Sequence, residues 1–265
     1  MDNTQKKTPA EHKAYIRSLT RISFFFAYQW HAKHPDETMG AVVRNRTPLF
    51  HHALGLLRNE GEEHGEWQRL LEKVRTVAEK AKDAAEFEEI MFAFVTPFAD
   101  SRADRFYPQS VGVALPKDWN VRSLKYDPPK DSLPATYCTF HIANALAPRS
   151  IFDDPEHLPL CFLELMDRSE AEFGYDMLYT STWLNDHPKW LPLFPREWHD
   201  NLSPRSGDVS WTFGHWGQLV NARGEFNEKM GRYVREHGEL KYKPRKSHCS
   251  FQSMREHLAD LASGA

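Results

Sequence analysis

Thr136-Tyr-Cys-Thr-Phe-His-Ile-Ala143, Asp154-Pro-Glu156 and Tyr175-Asp-Met-Leu-Tyr-Thr-Ser-Thr-Trp-Leu184 are the pieces of sequence that decide the fold. The first is rich in β-branched and aromatic residues with little helical periodicity, and reads as a strand. The second is a helix start: a capping aspartate, proline at the first position and an acid in the first turn. That helix carries Leu160, Leu163 and Met166 and is expected to end at Gly174. The third piece reads as a second strand. Strand, helix and strand over about fifty residues make a crossover unit in a sheet with at least one parallel pair.

Upstream of this unit the chain reads as helical. Tyr15, Leu19, Ile22, Phe26 and Trp30 recur at helical spacing from about Pro9 to His31, with Pro35 as the stop. A shorter helix is expected over Leu49 to Leu57, and a longer one from Gly65 with Trp67, Leu70, Leu71, Val74, Val77, Ala78 and Ala81 on one face. A break at Asp83 precedes a segment carrying Phe87, Ile90, Met91 and Phe94, stopped by Pro97. From Ala99 to Pro134 prolines and charges dominate, with short strands expected at Val111–Leu115 and Asn120–Tyr126.

Downstream, Pro188 to Trp198 reads as short helical turns. A long helix is expected from Trp211 to His237, with Gly238 as its left-handed cap. Lys241 to Lys246 reads as a basic turn, and Ser250 or Ser253 as the cap of a last helix. The fold class is therefore α+β, or mixed α/β: one domain over residues 1–265, with a helical subregion at 1–98 and a sheet-containing subregion at 99–265 that carries the site.

Composition narrows the function. The net charge of −3 argues against nucleic acid as the main partner. Cys138, Cys161 and Cys249 are sparse, odd in number and lack CxxC spacing, so they read as free thiols of a reducing compartment. The polar start MDNTQKKTPAEHK has no signal-peptide core, and the longest apolar run is too short for a bilayer. The expectation is a cytoplasmic protein with a small-molecule substrate and no membrane partner.

Between Thr136 and Phe226 most of the chain's tryptophan alternates with imidazoles, amides and hydroxyls. A ligand pocket needs apolar walls with a few placed polar groups, so the site is expected there. His141 and His215 are the candidate acid–base residues, since an unperturbed imidazole titrates near neutrality. The alternative for His141 is a half-buried ring bonded to a backbone carbonyl. Asn144 lies just past the first strand's carboxyl end, where open sheets hold ligands. Arg149 and Arg223 offer guanidinium forks for an anion. Thr180, Trp183 and Asn185 end the second strand. In Trp211-Thr-Phe-Gly-His-Trp-Gly-Gln218, two glycines weaken a helix start; Trp211, Trp216 and Gln218 then line the substrate with His215. The pairs His31/His34, His51-His52 and Glu62-Glu63-His64 lack metal-site grammar, so no metal is expected.

The order TFHIAN, Asp154-led helix, FGYDMLYTSTWLND resembles the carboxyl-terminal half of certain GNAT-like N-acyltransferases over about fifty residues. There a histidine-bearing strand and a helix precede a Ser-Trp-Leu-Leu strand end, much as Ser181-Thr-Trp-Leu184 does here. The resemblance implies acyl transfer to an amine, with acyl-CoA as cofactor. The chain departs from that superfamily in having no Arg/Gln-x-x-Gly-x-Gly/Ala loop for the pyrophosphate. A cofactor-free lyase, isomerase or hydrolase using the same histidines is the alternative, and a non-catalytic small-molecule or protein-binding module is the other.

Overall fold

The computed structural model describes residues 7–49, 65–112 and 119–264. In chain order its elements are α1 (Pro9–Lys33), α2 (Met39–Arg46), α3 (Gly65–Ala78), α4 (Ala84–Gly112), β1 (Asn120–Val121), β2 (Leu124–Tyr126), β3 (Tyr137–Ile142), α5 (His157–Phe173), β4 (Met177–Thr182), α6 (Arg196–Asp200), α7 (Phe213–Trp216), α8 (Glu228–His237), β5 (Arg245–Ser250) and α9 (Phe251–Ser263). The protein is α+β. Its described residues form two compact units: a helical unit of residues 7–49, 65–112 and 208–241, and a sheet unit of residues 119–207 and 242–264. Among the described residues no helix is long and apolar enough to cross a membrane.

In the helical unit, α1 opens with a capping box. Thr8 accepts the Glu11 amide, and the Glu11 carboxylate takes the Thr8 amide. Leu19, Ile22, Phe26 and Trp30 are buried at the expected spacing. Their partner is α4, whose buried stripe Phe87, Met91, Val95, Ala99 and Ala103 recurs every fourth residue. The stop expected at Pro97 is therefore a misreading: the helix continues through Pro97 and Pro108. A proline inside a helix costs about 3 kcal/mol, which one or two buried large side chains offset. Lys13–Asp104 and Arg17–Asp100 ion pairs hold the downstream half against α1.

One more reading needs correction here. α2 begins at Met39 under a Thr38 cap, in a stretch not read as helical. The expected helix at Leu49–Leu57 and the clusters at His51-His52 and Glu62-Glu63-His64 lie outside the described residues. So does most of the strand expected at Val111–Leu115, whose first two residues close α4.

The long helix expected from Trp211 to His237 is broken. α7 and a 3-10 turn at Gly217–Leu219 end at Val220, which bridges to Phe226 across a tight turn. Asn221 Oδ1 accepts the Arg223 and Glu225 amides there, and Gly224 takes φ 75°, a region L side chains rarely enter. Asn227 then caps α8, with its side chain on the Met230 amide.

The sheet unit holds five strands in the order β1-β2-β3-β4-β5. β3 and β4 are parallel and joined through α5, as the crossover pattern predicts; the other pairs are antiparallel. The helix between them starts later than Asp154 indicates. Asp154 instead closes a turn on the Glu156 amide, and α5 begins at His157. It ends at Gly174 in the left-handed region. β5 occupies part of the presumed basic turn and pairs with all six residues of β4. Ser250 caps α9. Cys138, Cys161 and Cys249 are buried free thiols.

Candidate functional site

Strand alternation divides the sheet into a packed face and an open one. Cys138, Phe140, Leu178 and Cys249 point inward, into one core with Phe162 and Leu165 of α5 and Met254 and Leu258 of α9. The opposite face carries Tyr137, Thr139 and His141 on β3, Tyr179 and Ser181 on β4, and Lys246 and His248 on β5. None of these is buried. Lys125 pairs with His141, Tyr179 with His248 and Ser181 with Lys246. Thr139 pairs with Tyr179 at the end of the parallel ladder, and His141 and Ser181 each follow two residues on along their own strand. Lys125, His141, Ser181 and Lys246 thus form a row on this face over four strands.

His141 is held from the side by Asp127, just past β2. Its Nε2 lies 2.7 Å from Asp127 Oδ2; the imidazole side chain is 55% exposed, the carboxylate 11%. Asp127 is fixed in turn. Its amide donates to Thr139, its carbonyl accepts the Tyr175 hydroxyl, and Lys130 Nζ reaches Oδ2 at 2.6 Å. Burial works to raise its pKa, but the bonds from His141 and Lys130 prevail and hold it at about 2. An ionised carboxylate only accepts, so Nε2 carries the proton. In the neutral ring Nδ1 is then the basic nitrogen. The expectation for His141 was a ring in use or one tied to a backbone carbonyl; its bonded partner is a carboxylate.

Next to this pair, Tyr137 gathers two rings: Tyr179 at 6.1 Å and His248 at 5.7 Å between centroids. An exposed imidazole oriented by a buried anion, with Ser181 and two lysines in its row and three rings beside it, is equipped to move a proton and to hold a planar or anionic group.

The other residues expected in the site belong partly to the sheet unit and partly to the helical unit. In the sheet unit, Asn144 shapes the loop after β3, taking the Leu146 amide and donating to the Arg149 carbonyl; the Arg149 side chain is exposed. Thr180 donates inward to the Phe140 carbonyl. Asn185 is fully buried, accepting from Trp190 Nε1 at 3.0 Å and donating to the Arg245 carbonyl at 2.8 Å. Both are committed to holding strand ends together. Trp183 is half-buried in a separate cluster, stacked on Tyr242 and edge-on to His187. Trp190 and Trp198 are core: Trp198 stacks on Phe194 at 4.1 Å.

Trp211, His215, Trp216, Gln218 and Arg223 belong to the helical unit. Trp216 is buried against Phe26 and donates to the Arg46 carbonyl. Gln218 is buried and donates to the His215 carbonyl. Trp211 donates its amide to Asn45 and is half-buried; Arg223 is exposed. His215 accepts the Ser210 amide at Nδ1, and burial pushes its pKa down to about 4. So low a basicity suits a structural acceptor better than a general base at neutral pH. Three of the tryptophans are interlocked with other rings: Trp190 and Trp198 in the core of the sheet unit and Trp216 in that of the helical unit.

Sequence reasoning missed Asp127, which stands in a proline-rich stretch 14 residues before His141. It also missed the open-face row, because β5 was not recognised. A third group, Ser123, His157 and Cys161, was missed as well. His157 Nε2 lies 2.7 Å from Ser123 Oγ and 3.5 Å from Cys161 Sγ, but all three are buried.

Coenzyme A can be tested against α5, the helix that joins the two strands of the parallel pair. Its pyrophosphate needs free amides and no like charge at that N-terminus. At α5 the cap is Glu156, preceded by Asp153, Asp154 and Pro155, and the Glu156 amide is spent on Asp154. These residues do not fit the group. Among the described residues no three His, Cys, Asp or Glu side chains come together as a metal ion requires. No protein-family model, curated protein or solved structure matches the chain.

Proposed function

We propose that this protein is an enzyme acting on a small molecule held on the open face of the sheet unit, with His141 moving the proton. The observation that carries the reading is the 2.7 Å bond between the exposed His141 ring and the buried Asp127 carboxylate. Nδ1 of the neutral ring takes a proton from the substrate, and the positive charge that forms is stabilised by Asp127. The same ring then returns the proton to the product. Such general acid–base transfer contributes about 10²- to 10⁴-fold in rate. Lys125 and Lys246, at the two ends of the row, attract an anionic substrate, and Ser181 offers it a hydroxyl. Proton transfer of this kind serves an isomerase, lyase or hydrolase. The misfit at α5 favours these over acyl transfer from coenzyme A.

The test is to incubate the purified chain with a metabolite extract and follow, by untargeted mass spectrometry, what is consumed and formed. Wild type is expected to convert at least one metabolite. His141→Gln should slow that conversion by about a hundredfold or more with the fold intact. Equal rates for the two proteins would refute the role of His141.

The rings of Tyr137, Tyr179 and His248 also favour a second reading, a binding module without turnover. Its mark is a metabolite that copurifies and is retained chemically unchanged, with affinity reduced by Tyr179→Ala but not by His141→Gln.

A further inference from the structure

Two guanidinium groups of the helical unit are held rigidly toward one cleft by a single buried acid. Glu88, whose side chain is 3% exposed, accepts from Arg21 Nε at 2.7 Å and, bidentately, from Arg235 Nη1 at 2.5 Å and Nη2 at 2.9 Å. The Phe92 ring lies under the Arg21 guanidinium at 4.7 Å and Phe25 under that of Arg235 at 5.1 Å. Arg21 on α1 and Arg235 on α8 line a hollow of about 290 Å³ together with Arg232, Ser18 and Phe226. Phe226 closes one wall because residue 231 is glycine. A Cβ there would lie 2.6 Å from the ring's Cε1 and Cζ atoms.

The charges do not balance. Three arginines face two carboxylates, Glu88 and Glu228, so one positive charge remains. Among the described residues no carboxylate lies within ion-pair reach of Arg232, which is exposed at the mouth. Positioned guanidinium forks beside a hydroxyl and an aromatic wall recognise an oxyanion carried on a small apolar body.

We propose that this cleft binds a small ligand through a phosphate or carboxylate group, held by Arg232 with the terminal nitrogens of Arg21, while Arg235, its fork spent on Glu88, adds its charge. The site is separate from the His141 reading, and each stands or falls without the other.

The experiment is calorimetric titration of the full chain with inorganic phosphate and, separately, with succinate, at ionic strength held constant with potassium chloride. At least one anion should bind saturably. Arg232→Gln should weaken that binding about tenfold or more, the loss of one charged hydrogen bond, without changing the melting temperature of the free protein. Arg21 and Arg235 are unsuitable first variants, because removing either leaves Glu88 short of a partner. Arg196→Gln, which removes an exposed charge in the sheet unit, should leave binding as it was. Binding of phosphate alone would name a phosphate ligand; binding of succinate alone would name a carboxylate. The proposal is overturned if neither anion saturates, if Arg232→Gln binds as tightly as wild type, or if Arg196→Gln loses as much.

Discussion

Ser123 Oγ and His157 Nε2 sit 2.7 Å apart inside the sheet unit, joining the hairpin of β1 and β2 to the first residue of α5. Ser123 also accepts the Ala145 amide at Oγ, and its carbonyl accepts that of Ala143. A serine beside a histidine suggests a nucleophile, but Ser123 is fully buried and burial lowers the His157 pKa. The pair is a fastening between three segments. Ser123→Ala should cost about 1–3 kcal/mol, because it takes the partner from a buried imidazole nitrogen and the acceptor from the part-buried Ala145 bond. Urea unfolding measures that loss. A serine-directed fluorophosphonate should leave Ser123 unlabelled in the folded protein, and labelling there would contradict the structural role.

His215 gives the helical unit a pH dependence whose sign follows from its environment. Burial lowers its folded pKa to about 4, whereas the unfolded chain takes up the same proton near pH 6.5. The unfolded state therefore binds more protons between those values, and stability rises with pH across that window. The contribution is complete above about pH 6.5 and is lost as the pH falls toward 4. His215→Gln keeps an acceptor for the Ser210 amide but cannot titrate. Its unfolding free energy should fall less steeply between pH 6.5 and 4.5 than that of wild type. Parallel slopes would show that His215 is not the group responsible.

Gly231 and Phe226 make a prediction that changes sign. In a helix interior alanine is favoured over glycine by about 1 kcal/mol. At position 231 its Cβ would meet the Phe226 ring at 2.6 Å, and overpacking of that kind costs about 1–3 kcal/mol. Gly231→Ala alone is thus expected to be neutral or destabilising. In a Phe226→Ala background the collision is gone, and the same substitution should stabilise by up to about 1 kcal/mol. Thermal unfolding of the four proteins closes the cycle. Identical effects in both backgrounds would mean that the ring moves aside without cost.

These cases mark how far the sequence could be read. The strands β3 and β4 and the stripe of α1 were legible because burial imposes one period over many residues. α4 was not read through Pro97, since the packing of Met91, Val95 and Ala99 that overrides the proline is a property of α1 as much as of α4. β5, Arg-Lys-Ser-His-Cys-Ser, hides behind its polarity. Its buried members are only Ser247 and Cys249, and its place comes from six pairings with β4. In the site, His141 was legible as chemistry on a strand. Asp127 was not, because nothing local ties it to a residue that the turn and the β2–β3 register bring beside it. Asn185 shows the converse failure. An amide at a strand end suits a ligand, and only the neighbouring Trp190 and Arg245 reveal that its bonds are internal.

That difference can be measured. Asn185→Ala would leave the buried Trp190 Nε1 without its acceptor and take a donor from the Thr180 and Arg245 carbonyls. At about 1–3 kcal/mol for each stranded group, the substitution should cost several kcal/mol of stability. Any turnover, expressed per folded molecule, should be unchanged. A stable Asn185→Ala protein with impaired turnover would return this residue to the site.

Asp127→Asn separates the two things that the carboxylate does. As the partner of His141 it fixes which ring nitrogen holds the proton and stabilises the charge that forms when Nδ1 is protonated. The amide can do neither dependably, since it offers both a donor and an acceptor. Turnover of the metabolite that wild type converts should fall by about a hundredfold, with KM little altered, because binding rests on the lysines and rings of the open face. As a buried anion, Asp127 also contributes to stability. Its folded pKa of about 2 lies below the unfolded value near 3.9, so the contribution is present above about pH 4 and is lost as the pH falls toward 2. Acid titration followed by tryptophan fluorescence should show a shallower decline for Asp127→Asn over that interval. A variant that loses the acid-linked stability yet keeps full turnover would leave the ion pair as architecture alone and take the general base away from His141.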